Sequence, residues 1–222
     1  MNALSRFIIF KVLLFFGSLM AAKAQPSVIA IADSLYATSN YTKAINYYAE
    51  ARGHNSSLQI ARAYNAIGNF EKAIAQYKSI VEQHPDWQIS NFELGKLLLK
   101  AKKYNEARKL FSQLTASGDD NPEYQYYLGE AFQELDQPAS ALTAYKKAVK
   151  LDSTHLRSLF RLGKYFTIKL ERDQALKYVE AGLQFYENDV AFINLKALVY
   201  YNDTIMKLSS RSSGKIAPML QR

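Results

Sequence analysis

Five alanines, Ala44, Ala73, Ala107, Ala141 and Ala175, recur at intervals of 29, 34, 34 and 34 residues. Nothing else in the chain restricts its fold as much. A period of roughly 20–50 residues marks one supersecondary unit copied and stacked in a row. The segments around the alanines rhyme: NYTKAINYYAEA, NFEKAIAQYKSI, KYNEARKLFSQL, QPASALTAYKKA and, more weakly, ERDQALKYVEAG.

Other positions keep fixed offsets from these alanines. Thirteen residues before stand Ile31, Ile60, Leu94, Leu128 and Leu162, each followed by a small residue: Ala32, Ala61, Gly95, Gly129 and Gly163. Nine before stand Leu35, Tyr64, Leu98, Phe132 and Phe166; four after stand Tyr48, Tyr77, Phe111, Tyr145 and Val179. Spacings of three and four gather large apolar residues on one face of a helix. The small residue lets a second helix come close. Each unit therefore reads as an antiparallel helix pair, and a pair that cannot bury its own stripe must stack on the next. Asn40, Asn69 and the Gln137-Pro138 step precede the second helices, and proline suits a first helical turn. Gly53, Pro85, the stretch SGDDNP and Asp152-Ser153 separate the units.

This pattern resembles the tetratricopeptide repeat over residues 27–187, most closely in units two to four. The resemblance implies an all-α helical-hairpin solenoid wound as a right-handed superhelix, with five repeats at about 25–53, 54–87, 88–121, 122–155 and 156–187. It departs from the family in three ways. The family proline, twelve residues after the alanine, survives only as Pro85. The fifth unit carries Val179 and Gly182, and the first interval is five residues short, which predicts an irregular step between units one and two. Residues 188–208 read as a capping helix and 209–222 as a basic, mobile tail.

The net charge of +8 points toward nucleic acid until it is divided. Residues 1–24 hold Arg6, Lys11 and Lys23 and no acid; residues 204–222 hold Lys207, Arg211, Lys215 and Arg222 and no acid. With +3 and +4 at the ends, the body from 25 to 203 keeps only +1. Such a surface releases few counterions, so no nucleic-acid partner is expected. The first 24 residues have a basic start, the apolar run VLLFFGSLMAA and an Ala-Lys-Ala step. This is the layout of a secretory signal peptide cleaved before Gln25, predicting an exported, periplasmic or secreted protein. The rival is an uncleaved anchor from Phe7 to Ala22. No later apolar run is long enough to span a membrane. The chain has no cysteine, which excludes disulfides, a cysteine nucleophile and a lipoprotein anchor.

Catalytic chemistry is not displayed. His54, His84 and His155 lie apart, in or beside inter-unit loops, and no zinc-protease, serine-elbow or phosphate-loop pattern occurs. No cofactor or metal is expected. Three Asn-x-Ser/Thr sequons, at Asn40, Asn55 and Asn202, read as turn chemistry.

The resemblance implies that first helices line a groove. Fifteen residues before each alanine stand Ile29, Leu58, Phe92, Tyr126 and Phe160; eleven before stand Asp33, Arg62, Lys96, Glu130 and Lys164. Offsets four apart share a helical face. Leu58, Arg62, Phe92, Lys96, Tyr126, Glu130, Phe160 and Lys164 are thus the expected partner-binding residues, with the rings as anchors and the charges as selectors of a protein segment. The competing reading is that the rings pack on one another. Relatives that clamp a terminal carboxylate use lysine and asparagine where this chain has Ile29 and Asp33, or Leu58 and Arg62, so that mode is not expected. The function implied is a non-catalytic interaction scaffold. The alternatives are a self-assembling structural protein and a binder of glycans or peptidoglycan fragments.

Overall fold

All five periodic alanines are at most 1% exposed, so each lies inside the packed helices. The computed structural model describes residues 27–118 and 120–216. The expected signal segment, 1–24, lies outside the described residues, as do residues 217–222 of the expected tail.

Eleven helices and no strands occur among the described residues. They are α1 (Val28–Ala37), α2 (Tyr41–Ala51), α3 (His54–Ala66), α4 (Phe70–Gln83), α5 (Gln88–Lys100), α6 (Tyr104–Ala116), α7 (Pro122–Glu134), α8 (Pro138–Leu151), α9 (Leu156–Ile168), α10 (Arg172–Phe185) and α11 (Val190–Ile216). The protein is an all-helical solenoid of hairpins. Two compact units divide between Gln76 and Tyr77, within α4. In the first, α1 packs on α2 and α2 on α3, around Ala32, Ala44 and Tyr48. In the second, the hairpins α5–α6, α7–α8 and α9–α10 stack in chain order, and α11 closes on α10 and α9.

Inside each hairpin of the second unit, the small residue is the seat of a ring or branched side chain. A Cβ built on Gly95 would lie 2.7 Å from Cζ of Phe111, and one on Gly163 would lie 2.9 Å from Cγ2 of Val179. Gly129 stands in the same relation to the Tyr145 ring. The ring four residues after the alanine therefore fills the space that the glycine leaves. Gly182, a departure from the family pattern, has the same use: the Phe192 ring of α11 occupies it.

The three-residue turn within each hairpin has one geometry throughout. Its central residue is left-handed: Ser39, Gly68, Lys102, Asp136 and Leu170 have φ of 60°, 79°, 59°, 55° and 60°. The next amide donates back to the carbonyl of the apolar residue nine before the alanine. These bonds are Asn40 to Leu35 (2.8 Å), Asn69 to Tyr64 (2.9 Å), Lys103 to Leu98 (2.8 Å), Gln137 to Phe132 (2.9 Å) and Glu171 to Phe166 (2.9 Å). This is the six-to-one closure of a Schellman motif, which usually takes glycine. Here only Gly68 meets that preference.

N-termini are capped by neighbouring oxygens and nitrogens. Asn121 Oδ1 accepts from the Glu123 amide at 2.9 Å, and Asp189 Oδ1 accepts from Ala191 and Phe192 at 2.9 and 3.1 Å. Pro138 opens α8, where its missing amide proton costs nothing.

The short first interval can be localised. Past Ala44, α2 ends three residues earlier than α4 does past Ala73. The following link is Arg52-Gly53, two residues where the next is four (84–87). Both linking residues have positive φ, 55° and 93°, so the turn is tighter as well as shorter. At the other end, α11 runs to Ile216, past the expected end of the capping helix at 208, and carries Gly214 in its last turn.

Two substitutions should move stability in opposite directions. Gly95→Val forces the Phe111 ring out of its seat and should cost about 2–3 kcal/mol, as overpacked cores do. Lys102→Gly relieves a left-handed residue and should add about 1 kcal/mol. Denaturant unfolding followed by circular dichroism reads both.

Candidate functional site

In the second unit the first helices α5, α7, α9 and α11 are joined by rings and ion pairs. Phe92 on α5 meets Phe111 at 6.2 Å, Tyr124 at 5.3 Å and Tyr127 at 5.4 Å, centroid to centroid. The Lys96 ammonium lies 5.2 Å from the Phe92 centroid and 5.7 Å from that of Tyr127. From α9, Arg157 covers Tyr126 at 4.7 Å and Tyr127 at 5.3 Å, donates to the Tyr127 hydroxyl at 3.0 Å and pairs with Glu123. Phe160 packs edge-on to Phe192 of α11 at 5.5 Å.

Glu130 is the electrostatic hinge of this face. Its carboxylate accepts the Tyr145 hydroxyl at 2.6 Å, Nε of Arg161 at 2.8 Å and a second Arg161 nitrogen. One acid thus ties the second helix of its own repeat to the first helix of the next. Burial pushes the Tyr145 hydroxyl above the ordinary tyrosine range, and the bond to Glu130 adds to it. Tyr126 is raised by burial and then by the Glu130 charge. For Arg161 burial opposes the charge, but the hydrogen bond and charge of Glu130 outweigh it and the guanidinium is held more firmly protonated. The first unit has a parallel in Tyr48, which donates to Asp33 at 2.6 Å and is raised by burial and that bond.

The expected binding residues separate into three groups. Leu58 and Tyr126, at 5% and 7% exposure, are core rather than surface anchors. Tyr126 is enclosed by Tyr127, Tyr145, His155 and Arg157, which is the ring-packing reading for this position. Glu130 is corrected from selector to internal strut, since its oxygens are taken by Tyr145 and Arg161. Phe92 and Phe160 are half-buried, and Lys96 and Lys164 are exposed; these four remain on the face. Arg62 is half-buried in α3, in the first unit, near Tyr48 and Asp33.

Tyr127, Glu123 and Arg157 were not singled out from the sequence. Their signal was present: Glu123 and Arg157 are 34 residues apart, as are Tyr127 and Arg161. Equal offsets in successive repeats lie side by side, so opposite charges one period apart are candidate bridges. His155 serves structure. It is buried at the N-terminus of α9, its side chain accepts from the Ser158 amide at 3.3 Å, and it lies 3.4 Å from Glu123. Among the described residues, no group of three His, Cys, Asp or Glu is placed to hold a metal ion. None of their helices is long and apolar enough to cross a membrane.

Comparison with known proteins gives one family. Its model, described as tetratricopeptide repeat, matches residues 29–87, 58–122 and 92–155. A repeat-containing protein of Methanocaldococcus jannaschii is 22% identical over 221 residues, covering 72% of this chain and 39% of that protein. Across the curated relatives matched, the chain spans between 10% and 39% of their length. Among solved structures, a tetratricopeptide repeat protein from Parabacteroides merdae superposes with a TM-score of 0.69 at 12% identity, covering 87% of this chain and 78% of that one. MamA from Desulfovibrio magneticus gives 0.60 at 20% identity, covering 71% and 90%. At these identities the likeness is one of fold.

The raised tyrosines set an alkaline limit. A group whose folded pKa is raised contributes stability that is complete below its unfolded value, here 10.0, and is lost as pH climbs toward the folded value. Stability should therefore fall above pH 10.0, with Tyr48 and Tyr145 phenolate absorbance appearing only as the fold is lost. In Tyr145→Phe the alkaline limb of a denaturation-midpoint profile should be shallower.

Proposed function

Because this chain belongs to the tetratricopeptide repeat family, we propose that it is a non-catalytic protein-interaction scaffold that works outside the cytoplasm. The basic-apolar-small layout of residues 1–24 supports export. The observation that carries the binding site is the distribution of charge on the first-helix face of the second unit. There Glu123 and Glu130 are taken up by Arg157 and Arg161, while Lys96 and Lys164 face solvent beside the half-buried rings of Phe92 and Phe160. Apolar rims flanked by cations suit a partner segment with apolar anchors and acidic neighbours.

The reading depends on the internal bridges. Had Glu130 pointed outward, the row Lys96, Glu130, Lys164 would alternate in sign and reject a uniformly acidic segment. With Glu130 turned inward, the solvent-facing members of that row are both positive. Rim charges act mainly on association rate and salt dependence, so partner capture should weaken as ionic strength rises.

The test is photo-crosslinking in the native host, with the reactive amino acid at Lys164 and a control at Lys147 on the second-helix side. Discrete adducts at Lys164 and none at Lys147 are expected. Charge reversal of both Lys96 and Lys164 to glutamate should weaken recovery of that partner about tenfold, about 1.4 kcal/mol, with an unchanged melting curve. Equal adducts at both positions would remove the face from consideration. Mass analysis of the exported chain should find Gln25 as its first residue.

A further inference from the structure

Pro85, the one family proline that the chain keeps, forms part of the wall of a cleft. The cleft holds about 470 Å³ and lies wholly in the second unit, where α4 and α6 end and α5 begins. Small-molecule sites commonly have volumes of about 300–1,000 Å³. Val81, Pro85, Leu110 and Leu114 give the cleft an apolar lining. Its polar groups are Asp86, Gln88, Asn91, Gln113 and Ser117. No lysine, arginine or histidine stands among the lining residues, so Asp86 is their only charge.

The fixed polar groups offer oxygens rather than protons. Asn91 is 9% exposed. Its amide nitrogen donates to the carbonyls of Pro85 at 2.8 Å and Trp87 at 3.2 Å. Those bonds hold the side chain in place and leave its Oδ1 without a partner among the described residues. The Ser117 hydroxyl spends its proton on the Leu114 carbonyl at 2.7 Å and keeps its lone pairs. Proline at 85 has no amide proton to return to the Val81 carbonyl, four residues back. The ends of α4 and α6 add the partial negative charge of helix C-termini. α5 begins at the same place, but its Ser90 and Asn91 amides are returned to the Trp87 carbonyl at 3.1 and 3.3 Å. Gln88 and Gln113 can still donate. Oxygens around one carboxylate, with apolar walls beside them, match a ligand that has several protons on a positive head and a hydrocarbon stem.

We propose that this cleft binds a small organic cation, an alkylammonium or alkylguanidinium group. Asp86 neutralises its charge, Asn91 Oδ1 takes one of its protons, and the stem lies along Val81, Leu110 and Leu114. Such a group arrives either on a free small molecule or as a lysine or arginine side chain of a bound protein. The cleft shares no residue with the face of Phe92, Lys96, Phe160 and Lys164, so its failure would leave that face untouched.

The test is isothermal titration calorimetry of the full chain with n-butylguanidinium and n-butylammonium. Neutral n-butanol and anionic butyrate are the controls. Saturable binding of at least one cation in the millimolar range or tighter is expected, with no heat from either control. Asp86 and Gln113 are exposed, so changes there leave the core alone. Asp86→Asn should weaken binding about fivefold. Gln113→Glu adds an acid at nearly the same volume and should strengthen binding about threefold. Both variants should keep the parent melting curve. A capped tripeptide with a central arginine separates the two sources. Tighter binding than n-butylguanidinium assigns the cleft to a protein side chain, and weaker binding assigns it to a free small molecule. Absence of cation binding overturns the proposal. So does equal binding of n-butanol or butyrate, or a dissociation constant that neither substitution moves.

Discussion

The architecture depends on one steric arrangement: a ring or branched side chain placed over a residue with little or no side chain of its own. Phe111 over Gly95, Tyr145 over Gly129 and Val179 over Gly163 set how closely the two helices of each hairpin approach. Gly182 carries the device past the last hairpin and seats α11 through Phe192. A glycine inside a helix costs about 1 kcal/mol of helix propensity relative to alanine. Burial of an aromatic ring contributes more than that, so the exchange favours the fold.

Much of this could be read from residue spacing alone. The offsets identified both helices of each repeat, the small residue and the large residue four after the alanine, because close packing admits few side chains at those points. The hairpin turns were less legible. Lys102, Asp136 and Leu170 hold a left-handed backbone that sequence rules assign to glycine or asparagine. The hydrogen bond that closes each turn compels that conformation whatever the side chain. The length of α11 was missed for a related reason: serine and lysine after Leu208 suggest a solvated tail, yet none of them breaks a helix.

The candidate face was legible in outline and not in detail. Offsets located the helices but not the residues that look outward: of the expected anchors, Leu58 and Tyr126 are core and Phe92 and Phe160 half-buried. Whether Tyr126 or Tyr127 reaches the surface depends on where Arg157 and Glu130 go, and those arrive from another repeat. Glu130 shows the difficulty: its offset matches Lys96 and Lys164, yet the arginine three residues before Lys164 draws it inward. Charge rows in stacked repeats become informative once they are compared across successive units, where Glu123 and Arg157 form a natural pair.

Each glycine and the side chain seated on it are separated by sixteen residues: Gly95 to Phe111, Gly129 to Tyr145 and Gly163 to Val179. The loop to be closed is therefore short, and its closure entropy grows only slowly with length. Folds built from such near-neighbour contacts have low contact order and rank among the fast folders. A hairpin of this chain contains a nucleus of its own, but its outer stripe is covered only when a neighbour docks. Folding can therefore start at any adjacent hairpins and spread along the stack in either direction.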